Sequence, residues 1–264
     1  MPSNPVDNEI SGRTALVTGA SSGIGAAVAR DLWSHGAHLA LTYSSNVSGL
    51  DNLITSLRAQ DPSPTRRIST HKLDLSLDED LITLATDFAK THSQPGPDIL
   101  ISNAGVAGLD KKSNPYLDNI TVEEFDFTTN VNLRAAFRLC KWAVPFMVER
   151  HWGRVVFVSS ISAIGGGING CHYAASKAGL TGMMKNLAYK HAASGVTFND
   201  VAPAMIGDTG MIPDEARVAG TPGDVKNIPV GRLGTPQEAA NVVLMFCKTG
   251  YMTAQSVLLS GGLK

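Results

Sequence analysis

Seven short stretches of the chain are nearly continuous in apolar residues: 14–18, 39–42, 68–73, 99–102, 155–159, 196–201 and 256–259. Runs of that length bounded by turn formers read as strands. Their lack of alternation means burial on both faces, hence a parallel sheet covered by helices. The longer segments between them follow the other period. Ile24, Ala27, Val28 and Leu32 recur at helical spacing, as do Leu81, Leu84, Ala85 and Phe88, and Gly36 stands where a helix C-terminal cap is expected. A β-α-β-α succession of about seven strands predicts an α/β fold, one doubly wound parallel sheet flanked by helices over residues 1–264, with its ligand crevice at the carboxyl ends of the strands. One segment fits neither period. Residues 205–227 carry Gly207, Gly210, Pro213, Gly220, Pro222 and Gly223, and an irregular stretch of that length reads as a substrate or lid loop.

Composition agrees with this reading. The chain has 264 residues, of which 43% are hydrophobic and 17% charged, enough for a large buried core. The net charge of −1 and the scatter of basic residues, whose densest runs are Arg66-Arg67 and Lys111-Lys112, suggest neither nucleic acid nor a membrane surface as partner. Cys140, Cys171 and Cys247 have no C-x-x-C pairing and no zinc-type spacing, so they are expected to be reduced, structural thiols with no metal. The first ten residues are polar and acidic, and no 18-residue apolar run follows; the expectation is a cytoplasmic protein.

Two motifs bring chemistry. The first strand runs into Thr18-Gly-Ala-Ser-Ser-Gly-Ile-Gly25 and then a helix. Glycines there let the backbone approach a pyrophosphate, and the helix N-terminus presents unpaired N–H groups. Further on comes Tyr173-Ala-Ala-Ser-Lys177, with a phenol and an ammonium four residues apart on one helix face. A positive charge beside a phenol, whose ordinary pKa is about 10, is expected to pull it toward neutrality and make it a proton donor and acceptor.

The order of these motifs, with Asp74-Leu75, Asn103-Ala-Gly105, Asn132, Ser160, Pro203, Arg232-Leu-Gly-Thr-Pro236 and Gly261-Gly262 around them, resembles the short-chain dehydrogenase/reductase family over roughly 11–262. Within it the chain is most similar to 3-oxoacyl-acyl-carrier-protein reductases and to fungal hydroxynaphthalene and carbonyl reductases. The resemblance implies a Rossmann-type domain and a catalytic set of Asn132, Ser160, Tyr173 and Lys177. Tyr173 would protonate the developing alkoxide, Ser160 would hold the same oxygen, Lys177 would bind the nicotinamide ribose, and Asn132 would hold a water linking Lys177 to solvent. Asn130 competes for that last role; Asn132 is preferred because Asn132-Leu-x-x-x-Phe137 matches the family's run.

For the cofactor the resemblance implies contacts from Gly19, Ser21, Ser22, Gly23, Ile24 and Gly25 in the turn, and from Tyr43, Ser44, Ser45 and Asn46 after the second strand. Asp74 and Leu75 would flank the adenine, with Asn103, Ala104 and Gly105 beyond them and Pro203, Ile206 and Thr209 beside the nicotinamide. No acid follows Leu41 until Asp51, and an acid at that point would repel a 2′-phosphate, so NADP(H) is favoured over NAD(H). Three departures from the family pattern stand out: Pro203-Ala204 for Pro-Gly, Thr253-Ala254 for Thr-Gly, and Asn199-Asp200 for a more apolar pair.

The walls of the substrate pocket, 106–109, 161–170 and the 205–227 loop, offer Ile161, Ile164, Ile168, Met205, Met211 and Ile212 and few charges. They favour an apolar or flat ketone, such as a 3-oxoacyl thioester tethered to a carrier or CoA, or a polyketide-like aryl ketone of secondary metabolism. The glycines at 165–167 leave a roomy mouth. Arg134, Arg138 and Lys141 form a basic stripe that reads as a solvated face or subunit contact. The helices over 122–150 and 173–193 would join copies into a homotetramer or homodimer. Two alternatives remain: an NAD(P)-dependent secondary-alcohol dehydrogenase, and a non-catalytic nucleotide-binding regulator.

Overall fold

In this computed structural model, residues 6–109, 115–165 and 167–264 are described. The first residues of the chain, the Lys111-Lys112 pair and Gly166 lie outside them. All seven predicted strands form: β1 (Thr14–Val17), β2 (His38–Tyr43), β3 (Ile68–Lys72), β4 (Ile99–Ser102), β5 (Gly153–Val158), β6 (Val196–Pro203) and β7 (Ser256–Leu259). They make one parallel sheet in the order β3-β2-β1-β4-β5-β6-β7. The order reverses between β1 and β4, and this switch point, at the strand carboxyl ends, is where a doubly wound sheet leaves its crevice.

Burial on both faces holds for the central strands. Ala15 and Val17 of β1, Leu39 and Leu41 of β2 and Ile99 and Ile101 of β4 pack on one side with α1 (Gly23–Ser34), α2 (Val47–Gln60) and α7 (Pro236–Lys248). Leu16, Ala40 and Leu100 pack on the other with α3 (Asp78–His92), α5 (Ala135–Glu149) and α6 (Cys171–His191). The period of two thus sorts adjacent residues into separate cores. The edge strands differ: Thr70 and Lys72 of β3 and Ser256 and Leu258 of β7 are exposed. Gly36 caps α1 as expected, in the left-handed region at φ +85. Its N–H bonds the Trp33 carbonyl at 3.0 Å and that of Ala37 bonds the Leu32 carbonyl at 3.1 Å, the paired closure that glycine makes possible.

One expectation changes, and two others gain detail. The helix predicted over 122–150 is interrupted: α4 (Val122–Thr129) passes through a wide turn at Asn130–Arg134, closed by the Ala135 N–H on the Asn130 carbonyl, before α5 resumes. One inserted residue shifts the register without ending the helix, so hydrophobic spacing does not reveal it. Segment 205–227 has an apolar core of its own, with Met205, Ile212 and Val218 packed against Ile161, Ala204 and Ile228, and it includes short helical turns at Glu215–Arg217 and Val225–Asn227. Arg134 and Arg138 both pair with Asp78 at the start of α3, at 3.2 and 2.7 Å, so these two residues of the stripe tie helices together within the chain. Among the described residues no helix is long and apolar enough to cross a membrane.

Candidate active site

The glycine turn is shaped by the backbone and held by side chains on either side. Gly19 and Gly23 take φ of +65 and +54, which side-chain-bearing residues rarely adopt. A Cβ on Gly25 would overlap the Gly19 carbonyl and stand 2.6 Å from Asn103 Nδ2. Asn103 Nδ2 donates to the Thr18 and Gly19 carbonyls at 2.8 and 3.2 Å, so its amide braces the turn from β4. Thr18 Oγ1 accepts from the Asn103 and Ala104 N–H groups, both at 3.0 Å. From β2, Thr42 Oγ1 accepts from the Gly19 N–H at 3.3 Å. These bracing threonines were not among the expected site residues; the threonine opening the turn motif was the available signal for Thr18. Ser22 begins α1 without using its hydroxyl as a cap, which leaves the helix's first N–H groups to another acceptor.

The remaining residues expected at the cofactor fall into place unevenly. Thr209 lies against the turn, its Cγ2 3.1 Å from where a Cβ on Gly23 would be. Its hydroxyl is spent within the loop, donating to the Ile206 carbonyl at 3.1 Å and accepting from Ile212 N–H at 3.0 Å. Ile206 is buried and bridges to Gly234. Ser44 and Ser45 are exposed at the end of β2 and Tyr43 is partly buried there, whereas Ile24 packs against the core. Asn46 works as a cap: Oδ1 accepts from Gly49 N–H at 3.0 Å and Nδ2 donates to the Ser21 carbonyl at 3.3 Å. Asp74 likewise forms a turn, Oδ1 accepting from the Ser76 N–H and hydroxyl at 2.9 and 2.7 Å, with Leu75 buried beside it. Ala204, standing for the usual glycine after Pro203, stays out of the left-handed region. Met205 enters it instead at φ +51, as does Ala254 at φ +61, each at a cost of about 1 kcal/mol.

Ser160, Tyr173, Lys177 and Asn132 converge at the carboxyl ends of β4 and β5. Tyr173 and Lys177 share a face of α6, with Nζ 5.7 Å from the ring centroid, and Ser160 lies close enough to the phenol to favour its ionised form. A Cβ on Gly105 would sit 3.1 Å from both Asn132 Oδ1 and Lys177 Nζ, which places those two together in one pocket. Asn132 faces inward from the wide turn. Its Oδ1 accepts from Val106 N–H at 2.8 Å, and its Nδ2 donates to the Val106 carbonyl and to Ser176 Oγ, both at 3.0 Å. Asn130 points away, to the Ser76 carbonyl at 3.2 Å. Ser176, a further missed residue, links Asn132 to α6 by donating to the Tyr173 carbonyl at 2.7 Å.

The electrostatics depart from expectation. Burial pushes the Tyr173 phenol up to about 12, against a smaller lowering by Ser160, and pushes Lys177 down to about 8. Lys177 Nζ donates to the Val158 carbonyl at 2.9 Å, and loss of hydration is the largest influence on the phenol. Among the cysteines, burial lifts Cys140 and Cys247 to about 12, but Cys171 is exposed in the first turn of α6. Among the described residues no cluster of three or more His, Cys, Asp or Glu could hold a metal ion.

The chain that brings together this glycine turn and this buried Ser-Tyr-Lys set matches known proteins over nearly its whole length. The 3-oxoacyl-acyl-carrier-protein reductase of Rickettsia bellii is 34% identical over 259 residues, 97% of this chain and 98% of that protein. Acetoacetyl-CoA reductase of Shinella zoogloeoides is 32% identical over 253 residues, 95% and 98% of the two chains. The crystal structure of levodione reductase superposes with a TM-score of 0.84 at 28% identity, covering 96% of this chain and 98% of that one. The family model for short chain dehydrogenases matches residues 13–217; this protein is an oxidoreductase that belongs to the short-chain dehydrogenase family.

Proposed function

We propose that this enzyme uses NADPH to reduce a ketone, a 3-oxoacyl thioester or a related flat ketone, with Tyr173 as proton donor. The observation that carries the reading is the convergence of Ser160, Tyr173, Lys177 and Asn132 on one side of a glycine turn whose backbone leaves no room for a Cβ at Gly25. The turn and the first N–H groups of α1 would take the pyrophosphate, and Lys177 the nicotinamide ribose. NADPH, when bound, supplies the hydride. The chain's own residues supply the rest. A phenol held near 12 is protonated at neutral pH, the form a general acid needs to deliver a proton to the carbonyl oxygen. Ser160 holds that oxygen through its hydroxyl.

The relatives named for 3-oxoacyl-carrier and acetoacetyl-CoA substrates support a tethered acyl ketone, and the exposed Leu109, Ile164 and Met211, from the segments expected to wall the pocket, would give its mouth an apolar rim. An apolar groove of about 720 Å3 between α4, α5 and α6, lined by Phe127, Leu133, Phe137 and Met183, supports pairing of two copies through this face. Fluorescence titration with NADPH and NADH tests the cofactor. It is followed by NADPH oxidation with 3-oxoacyl thioesters, aryl ketones and quinones. NADPH binding at least tenfold tighter, with turnover of a thioester or aryl ketone, is the expected result; preference for NADH overturns the cofactor assignment. Activity only in the alcohol-oxidising direction favours the dehydrogenase reading.

A further inference from the structure

The Asn199-Asp200 pair takes no part in the chemistry above, yet Asp200 is fully buried. It lies in β6, in register with Phe157 of β5 and Ser256 of β7. Its carboxylate accepts three hydroxyl hydrogen bonds: to Oδ1 from Ser159 Oγ at 2.9 Å and Ser256 Oγ at 2.6 Å, and to Oδ2 from Thr181 Oγ1 at 2.8 Å. The donors sit on β7, at the end of β5 and on α6, and two of them adjoin catalytic residues. Ser159 stands between Ser160 and Val158, whose carbonyl accepts from Lys177 Nζ at 2.9 Å. Thr181 is one helical turn beyond Lys177 on the same face of α6. A buried carboxylate is expensive unless its lone pairs are satisfied and its charge is answered. Three hydroxyls meet the first requirement, and the charge of Lys177, on which Asp200 acts favourably, bears on the second.

We propose that Asp200 is a positioning residue for the reaction. Its carboxylate fixes Ser159 and Thr181, and so the spacing between the Ser160 end of β5 and the Tyr173–Lys177 face of α6, and it supports the charge of the buried Lys177. The inference rests on the reading of Lys177 as a cofactor-binding residue. Three groups face Lys177, the Tyr173 ring on α6, the neutral Asn132 amide and the Val158 carbonyl on β5, and the charge of Asp200 on β6 acts on it as well. Among the described residues Asp200 is the acid whose charge supports Lys177 against burial.

The sign follows. Removing the carboxylate lowers the pKa of Lys177, so any property that needs the ammonium fails at lower pH. Asp200→Asn and Asp200→Ser are compared with the wild-type chain and with Lys177→Met by NADPH fluorescence titration and by kcat/KM, each from pH 6 to 9.5, after thermal melts confirm folding. Wild-type affinity falls as pH rises through about 8. In both Asp200 variants the fall begins about one pH unit lower, a tenfold change in the acidity of Lys177. Affinity at pH 6 stays within about twofold of wild type. Lys177→Met binds weakly and is flat over this range; if it binds like wild type, the reading of Lys177 fails. If it is flat while folded Asp200 variants superpose on the wild-type profile, the Asp200 inference fails alone. Should neither Asp200 variant fold, Thr181→Val keeps the carboxylate and reads the positioning half: kcat about fivefold lower with unchanged NADPH affinity supports it, and unchanged kcat overturns it.

Discussion

The two ends of the crevice are built by different means. At the glycine turn the functional surface is backbone, and side chains serve as braces. Asn103, Thr18, Thr42 and Asn46 all turn their polar groups toward main-chain atoms of the turn or its neighbours. At the catalytic end the functional surface is side chain, and the backbone serves as anchor: Val158 carbonyl holds Lys177 and Val106 holds Asn132. The turn carries no titrating group among its glycines and serines, whereas the catalytic end buries a phenol, an ammonium and a carboxylate. One end therefore depends on steric room and the other on charge and protons, so changes at each should leave different signatures.

The largest effect separates them at once. Tyr173→Phe removes the proton donor while leaving the ring that packs in the pocket. Turnover is expected to fall by about 10³-fold or more, with NADPH affinity by fluorescence titration within about twofold of wild type. Retention of most of the activity would mean that another group gives the proton. Gly25→Ala is the converse change. Its methyl meets the Gly19 carbonyl and Asn103 Nδ2, both held by further bonds, so the turn must shift at a cost of about 1–3 kcal/mol. NADPH affinity drops at least tenfold, while the Tyr173 and Lys177 side chains stay in place. Wild-type affinity in this variant would show that the cofactor does not approach the turn.

The same contrast explains what was legible in the sequence. The central strands are apolar because both faces are covered, so Thr14–Val17 and Ile99–Ser102 could be read directly from composition. Gly36 could be read because one residue type suits a left-handed helix end. Tyr173 and Lys177 could be placed together because helical spacing is fixed. Their protonation could not. It depends on how much water the fold removes, and burial reversed the sign expected for Tyr173. Asn132 was preferred over Asn130 by its match to the family's run, and the wide turn that points one inward gives the physical reason. Asp200 was visible as a departure from the apolar pattern, but its partners come from strands and a helix far apart in sequence. Long-range tertiary contacts leave no periodic mark.

The smallest expected effect concerns Asn46, which joins the turn to α2. Its sequence position beside Ser44 and Ser45 suggests a donor to a 2′-phosphate, yet its side chain caps α2 through Gly49 N–H and ties to the Ser21 carbonyl. Two substitutions distinguish the roles. Asn46→Ala removes the cap and should cost about 1 kcal/mol of stability by denaturant melt. Asn46→Asp keeps a side-chain acceptor for the Gly49 N–H, since aspartate caps as well as asparagine, and places a negative charge at the helix N-terminus where it is tolerated. Its stability should fall by less than that of Asn46→Ala, because the cap is kept and only the longer bond to the Ser21 carbonyl is lost. That same charge would stand near the end of β2, where an acid disfavours a 2′-phosphate and suits a free ribose hydroxyl. NADPH binding should therefore weaken several-fold in Asn46→Asp while NADH binding holds or improves. If both cofactors are unaffected and Asn46→Ala loses more stability than Asn46→Asp, Asn46 is a cap alone, and the discrimination falls to Ser44 and Ser45.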